Sequence, residues 1–400
     1  MANPVPRHSY DVVIVGGAAV GSSVAYFLAS DPDFKGSVLV VERDWTYARA
    51  ATALSSASIR QQFSNPLNVL ISEFGATFIR DFALHCGVDE NDRPDLAFRE
   101  NGYLFLAGDD RGKQVLEDNH VVQRDIGADT ELLPAAALAE RFPWLNTSGL
   151  TLGSFGRSGE GWFDNNGLLH GFRRKARALG VDYVEDEVVD VSREGHRIMS
   201  VALRSGRTIG CGVLVNAAGT RGTRVARMAG IAIPVEPRRR SLFVFACRAP
   251  LPGRVPLTID PSGVFFRPEG QFYLAGTTPR GDPEVDVEDF DVMHREFEDD
   301  IWPTLAARVP AFEAIKAVNS WAGHYDYNTL DQNAIVGPHP EVANFILANG
   351  FSGHGLQQSP AIGRGIAEFI AHGAYRSLDL GPLGYDRVAA GRPFLETSII

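Results

Sequence analysis

Residues 10–42 read YDVVIVGGAAVGSSVAYFLASDPDFKGSVLVVE. An apolar run at 12–15 breaks at Gly16 and Gly17, resumes as an alanine-rich helical pattern, and is followed by a second apolar run at 38–41 that ends in Glu42. Strand, glycine turn, helix, strand and acid is the order of a dinucleotide-binding unit. Gly16 permits the tight turn from strand into helix. Gly21 lets the helix lie close on the sheet, so that a pyrophosphate can sit against unpaired N–H groups at the helix N-terminus. Glu42 stands where a carboxylate accepts hydrogen bonds from the ribose hydroxyls of an adenosine, and its charge disfavours a 2′-phosphate. The middle glycine of G-x-G-x-x-G is Ala18, which puts a methyl group at the closest backbone approach. The same run would suit a signal-peptide core behind Arg7. Against that, Asp11 abuts it, Gly16, Gly17 and Gly21 weaken a membrane helix, and no small-residue cleavage site follows.

At 400 residues the chain exceeds what one core usually supports, and about two domains are expected. An apolar content of 44% with 22% charged residues is that of a folded soluble chain, not a disordered one. The formal net charge of −11 argues against a nucleic-acid partner, which needs a basic face. The cluster Arg173, Arg174, Lys175 and Arg177 reads as the solvated face of a helix. Cys86, Cys211 and Cys247 form no C-x-x-C pair, so neither a metal site nor a disulfide framework is expected. Without a targeting segment or long apolar span, the expectation is a cytoplasmic protein with no membrane span, monomeric or homodimeric.

Along the chain, ARAATALSSASIRQQFS at 48–64 is small and polar, reading as a surface segment whose backbone approaches a ligand. A helix with an apolar stripe is expected over 66–82, strands over 89–106, and polar helices over 111–142. A glycine-rich strand region at 149–162 precedes a helix from Asn165, with Asp164 as its N-cap. A β meander covers 181–210, and CGVLVNAAG at 211–219 is a strand ending in small residues. Strands at 241–246, 263–267, 271–275 and 315–323 and helices over 287–308 make a second β-rich block. The last segment returns to the opening character: strands at 334–337 and 345–349, then GFSGHGLQQSPAIGRGIAEFIA, a glycine turn and a helix.

Five pieces in this order, VVIVGGAAVG with Glu42-Arg43, SSASIRQQFS, VLVNAAG, WAGHYDYNTLDQNAIVGP and NGFSGHGLQQSPAIGRGIAEFI, resemble the FAD-dependent oxidoreductases of the D-amino acid oxidase, glycine oxidase and sarcosine oxidase superfamily. The phrasing of the second and fourth is similar to a branch that includes a mitochondrial assembly factor of the respiratory chain as well as bacterial oxidoreductases. The resemblance implies an α/β fold: a Rossmann-like GR2 FAD-binding domain with a central parallel sheet, and a smaller α+β substrate domain with a mixed, mostly antiparallel sheet. Residues 1–87, 150–230 and 325–400 would form the first, and 88–149 and 231–324 the second. It further implies non-covalent FAD held by Val15, Gly16, Ala19, Val20, Gly21, Glu42, Arg43, Ser56, Arg60, Gln61, Val188, Ala218, Gly219, Gly350, Gly353, His354, Gly355, Leu356 and Gln357. A helix starting just after Gly353 and Gly355 would aim N–H groups at the flavin N1 and O2 region, where reduced flavin carries negative charge.

Relative to sarcosine oxidases, His324 occupies the place of the cysteine that links the flavin covalently. The lysine that promotes oxygen reaction falls near Leu274, and the lysine that grips the substrate carboxylate corresponds to Gln357. Both lysines are absent, which opens the choice between O2 and an electron-transfer acceptor and leaves the carboxylate to Arg60, Arg240 or Arg267, with Gln357 beside it. Arg240 and Arg267 are read as strand-end residues. The implied reaction oxidises an amino acid or secondary amine by hydride transfer from the α C–H to flavin N5, giving an imine that hydrolyses. His354, His324, Tyr325 and Tyr327 are the candidate orienting groups or proton acceptors. Two rivals remain: a flavoprotein acting chiefly as an assembly partner, and, from the opening motif alone, an NAD-dependent dehydrogenase.

Overall fold

In the computed structural model, which describes residues 6–397, the side chains of the opening strands alternate between two separate cores. Val12, Ile14, Val38, Val40 and Val215 face one core; Val13, Val15, Leu39, Val41 and Leu214 face the other. This period-two division, with both faces apolar, is what a parallel strand buried on both sides requires. The strands lie in the order Ile335–His339, Val342–Asn349, Thr208–Asn216, Ser9–Val15, Val38–Glu42 and Asp182–Glu185. The last five run parallel, and the hairpin of Val188–Glu194 and Arg197–Leu203 hangs off Thr208–Asn216.

The helices Ala19–Ser30, Pro66–Arg80, Asn165–Ala178 and Gly355–His372 cover the first face. Ala19–Ser30 and Gly355–His372 touch so closely that a Cβ at Gly363 would lie 2.1 Å from Ser23 Oγ. Both N-termini open on the side of the carboxyl ends of the strands, where ligands bind in open α/β sheets. Asp164 caps its helix by accepting from Gly167 N–H, as expected.

A second sheet runs Ile315–Asn328, Val235–Cys247, Phe272–Gly276, Phe265–Glu269, Leu257–Ile259, Tyr103–Ala107, Leu152–Gly156 and Thr130–Pro134. All its pairings are antiparallel except Leu257–Ile259 with Tyr103–Ala107. The expected α/β class with a parallel and a mixed sheet holds. Residues 152–156 and 325–328, placed by sequence with the nucleotide-binding part, belong to this second sheet instead, and the ends of that part at 1–5 and 398–400 lie outside the described residues.

Several local expectations fail for identifiable reasons. The region 111–142 contains the edge strand Thr130–Pro134, because Leu132 and Leu133 find a partner in Leu152–Gly156. Over 89–106 the only named strand starts at Tyr103. The segment 57–63 is buried rather than a surface loop: Ser58–Ile59 pairs with Gly161–Trp162, and Arg60, Gln61 and Gln62 are enclosed. The strands Val235–Cys247 and Ile315–Asn328 are far longer than their apolar runs, since facing one another they hide polar residues that read as loop.

Such burial of charge needs compensation. Asp331 is fully buried and accepts from Arg387 Nε at 2.6 Å and Nη2 at 3.1 Å, from Asn328 Nδ2 at 2.9 Å and from Phe394 N at 2.9 Å. Arg387 is itself enclosed, so losing its partner leaves an unpaired buried cation. Asp331→Ala is expected to destabilise the protein by about 3–5 kcal/mol in denaturant titrations; a loss below about 1 kcal/mol would show that the pair is not structural.

Candidate functional site

One long cleft runs between the two sheets. At one end lie Val15, Gly16, Ala18, Val20, Glu42, Arg43, Val188, Ala218 and Gly219; at the other lie Arg60, Tyr103, Arg240, His324, Tyr325, Gly353, His354, Gly355, Leu356 and Gln357. Ser56 lies on it as well.

The first end is built by close backbone packing. Gly16 has φ +96°, and a Cβ there would lie 2.4 Å from Ala217 O. A Cβ at Gly21 would lie 1.9 Å from Gly16 O, so this glycine and Ala19 support the turn from behind rather than lining the cleft. The Glu42 carboxylate accepts from Gly17 N at 2.8 Å and Asp44 N at 2.9 Å, and burial raises its affinity for a proton. The helix Ala19–Ser30 has no side-chain cap at Ala18 and no acidic residue in its first turn.

At the second end the helix Gly355–His372 likewise starts without a side-chain cap or a first-turn acid. Thr52 Oγ1 accepts from Ala19 N at 3.3 Å; the other first-turn N–H groups of the two helices are two places on one cleft where an anion is favoured. The loop before the second helix turns sharply, with Gly350, Ser352 and Gly353 at φ +75°, +52° and +93°. Asp326 holds it: the carboxylate accepts from Gly350 N at 2.8 Å, and the Asp326 carbonyl accepts from Ser352 N at 3.0 Å. Burial pushes the Asp326 carboxyl up to about 6, against the pull of the Phe351 and Gly350 N–H groups.

Arg60 is enclosed and is held from three directions. Its backbone N–H donates to Gln357 Oε1 at 2.9 Å, its guanidinium donates to the Gln62 carbonyl and, at 3.1 Å, to His354 Nε2, and it stacks 4.2 Å over Phe63. Because a guanidinium only donates, His354 Nε2 must accept, which places the ring hydrogen on Nδ1. Burial first, and the Arg60 charge second, hold His354 well below the usual range, so the ring is neutral. His324 Nε2 meets the Asp289 carbonyl at 2.6 Å and so carries the hydrogen, leaving a buried Nδ1 with no partner among the described residues. Burial lowers its pKa too. Arg240 stacks 4.6 Å over Tyr325, and the fork of its guanidinium grips Asp282.

Some sequence candidates stand elsewhere. Tyr327 lies off the cleft with Arg238 5.3 Å over its ring. Arg267 is not a strand-end cation facing a ligand: it sits inside Phe265–Glu269 and donates to the Ser56 carbonyl at 2.8 and 3.1 Å. Arg240 likewise lies inside its strand, opposite Gly323. Gln61 and Gly350 are behind the lining, as is Leu274.

Glu160 was missed by sequence reasoning. It is fully buried and accepts from Gln61 N at 2.6 Å, Gln62 N at 3.1 Å and Gln62 Nε2 at 2.8 Å, fixing the chain next to Arg60. A signal existed in SGEGW: Gly159 and Gly161 both have positive φ, and a Cβ at Gly161 would lie 1.8 Å from Arg99 O. Asp326 was overlooked because Tyr325 and Tyr327 drew the reading, although alternation puts it on the loop side of the strand.

The residues fit FAD. The uncapped helix behind Gly16, with Glu42 at the adjoining strand end, suits the ADP half; the second uncapped helix at Gly355, with Gly353, His354 and Gln357, suits the ring. Glu42→Gln is expected to weaken FAD retention by about 10–100-fold, the usual cost of one charged hydrogen-bond partner, read from flavin absorbance after gel filtration; full retention would refute the assignment of Glu42.

Burial lifts the Glu160 carboxyl from 4.5 to about 7, against the Gln61 and Gln62 donors and the Arg60 charge. A carboxyl raised on folding contributes stability that is complete below pH 4.5 and lost as pH rises through about 7. Glu160→Gln removes this titration. The stability of the variant relative to wild type is expected to improve on going from pH 4.5 to 8 by on the order of 3 kcal/mol, from about 2.5 units at 1.36 kcal/mol each. A difference independent of pH would mean that Glu160 keeps an ordinary pKa.

Comparison with known proteins agrees with this geometry. A family model described as FAD dependent oxidoreductase matches residues 11–369. The chain is 43% identical to FAD-dependent oxidoreductase domain-containing protein 1 of Xenopus laevis, over 99% of this chain and 86% of that protein. It is 27% identical to the sarcosine oxidase subunit beta of Rhizobium meliloti, over 93% and 86%. The crystal structure of L-proline dehydrogenase from P. horikoshii superposes with a TM-score of 0.84 at 25% identity, covering 96% of this chain and 99% of that one. The chain belongs to the DAO family of FAD-dependent oxidoreductases, and its cofactor is FAD.

Proposed function

We propose that the protein oxidises an amino acid or an N-alkyl amino acid, removing hydride from the carbon that bears the nitrogen, and passes the electrons to an acceptor other than O2. FAD, when bound, supplies the hydride acceptor at N5. The observation that carries this reading is the pairing, at the Gly355 end of the cleft, of two enclosed arginines with a neutral histidine.

Arg60 and Arg240 present cations suited to a carboxylate. The neutral His354, with its hydrogen on Nδ1, can orient the substrate without adding a second charge beside Arg60. The low-polarity walls, including Tyr103, Leu242, Leu257 and Phe265, favour that neutral amine over its ammonium form. Orientation of the C–H bond then falls to the arginines at one end of the substrate, and no carboxylate dyad is needed. The product imine leaves the cleft and hydrolyses.

An electron-transfer acceptor is favoured because the described residues lining the cleft include no lysine. The Leu274 position is apolar and buried in its strand, and Gln357 orients Arg60 instead of carrying charge.

The reading is tested by mixing the FAD-loaded protein anaerobically with a panel of L-, D- and N-methyl amino acids and following the loss of flavin absorbance. At least one carboxylated amine should bleach the flavin, and turnover should be faster with an artificial dye acceptor than with O2. Bound FAD that no amine reduces would overturn the proposal in favour of a flavoprotein working chiefly through partner proteins.

A further inference from the structure

Between the strand Phe272–Gly276 and the helical segment that starts at His294, residues 277–293 form an irregular strap beside the cleft, with Asp282 behind the lining residue Arg240. Thr277, Val287, Glu288 and Phe290 line the cleft directly. The strap is acidic, and three of its six acids, Asp282, Glu288 and Asp289, pair with arginines. Glu288 meets Arg43 at 3.7 Å, Arg49 at 2.8 Å and Arg221 on the nucleotide side, and Asp289 meets Arg239 at 2.6 Å. Asp282 differs from these, because the cation it holds is Arg240.

The Asp282 contact has the form of ligand recognition. Its two carboxylate oxygens take Arg240 Nη1 at 2.5 Å and Nη2 at 2.9 Å, the paired geometry an arginine offers a free carboxylate. Arg240 is enclosed, with 8% of its side chain exposed, and its Nε has no partner among the described residues. The grip is made at a cost in backbone conformation. Asp282 has φ +36°, between Gly281 at φ +74° and Pro283, although a residue preceding proline is already restricted. A non-glycine residue kept left-handed is a sign that something holds it there, and its side chain is held in the Arg240 fork.

We propose that Asp282 is a built-in stand-in for the substrate carboxylate: it occupies the Arg240 fork while the site is empty and is displaced by an incoming carboxylate, which frees the strap at its 282 end. This rests on the reading of the cleft as an amino-acid oxidising site, and it narrows the substrate class to acids, since an amine without a carboxylate has nothing with which to replace Asp282. The exchange conserves charge at Arg240: one anion leaves the fork as another arrives. It also relieves the left-handed backbone at Asp282, so opening of the strap and substrate entry favour one another.

The test uses FAD-loaded full-length protein and acetate or glycolate as unreactive probes, with binding read from the perturbed flavin spectrum. Asp282→Asn and Asp282→Gly both tolerate the left-handed backbone, so they remove the charge without altering the turn. Each should tighten probe binding by about tenfold or more. The exposed Glu284→Gln on the same strap serves as a control for general charge and should change it by less than about twofold. Arg240→Ala should abolish the gain in the Asp282 background. In wild type, probe binding should raise hydrogen exchange across 277–293.

Equal tightening by Glu284→Gln, or no tightening by Asp282→Asn and Asp282→Gly, would overturn the inference. The amine-panel result is separate: a flavin bleached by amino acids while the Asp282 variants bind probes no better than wild type leaves the proposed oxidation standing and removes only the stand-in role.

Discussion

The site depends on one carboxylate placed where two sheets meet. Asp326 lies near the end of Ile315–Asn328, the edge strand of the second sheet, and hydrogen-bonds the Gly350 and Phe351 N–H groups that follow the parallel strand Val342–Asn349. A buried carboxylate is costly unless donors surround it, so this contact is satisfied only when strand and loop hold one relative position. The loop it fixes has three left-handed residues, and the uncapped helix begins immediately after them. Arg60 is tied to the same place, because its backbone donates to Gln357 and its guanidinium to His354 in that helix start. Much of this end of the cleft is therefore positioned by a contact between the two sheets.

The two ends of the cleft use one physical device. Each presents a helix N-terminus whose own N-cap residue makes no side-chain cap and whose first turn has no acid, so partial positive charge is left for a ligand, although Thr52 Oγ1 takes the Ala19 N–H. Glycine makes both possible, at Gly16 and Gly353, where φ is positive and a Cβ would strike the Ala217 carbonyl or the Tyr325 ring. Between them the cleft walls carry cations held by carboxylates: Arg43, Arg49 and Arg221 by Glu288, and Arg240 by Asp282. An acidic chain of net charge −11 thus keeps a locally cationic, neutralised channel.

The nucleotide-binding half was legible in the sequence because its signals are local. The run 12–15, Gly16, Gly21 and Glu42 sit within one strand–helix–strand unit, and Gly350 to Gln357 within another. The substrate end was less legible because its contacts are long-range. That Gln357 would hold the backbone of Arg60, 297 residues away, follows from no spacing rule. The segment 57–63 read as a polar surface loop, yet Glu160 and Gln357 supply the partners that let it be buried. Tyr327 and Arg267 had suitable chemistry, but Tyr327 lies farther along the strand than Tyr325, beyond the cleft, and Arg267 already holds the Ser56 carbonyl. Asp282 and Glu288 lie in an irregular strap, where periodicity offers no guide.

The central claim is that one cleft holds FAD with its ADP half at Gly16 and Glu42 and its ring under the start of the helix Gly355–His372. A crystal structure of the FAD-loaded protein tests this most directly. The account predicts the ring edge bearing N1 and O2 against the N–H groups around Gly355 and Leu356, beside Arg60, and the adenosine ribose on Glu42. A flavin ring at the Glu42 end, or one outside the cleft altogether, would contradict it.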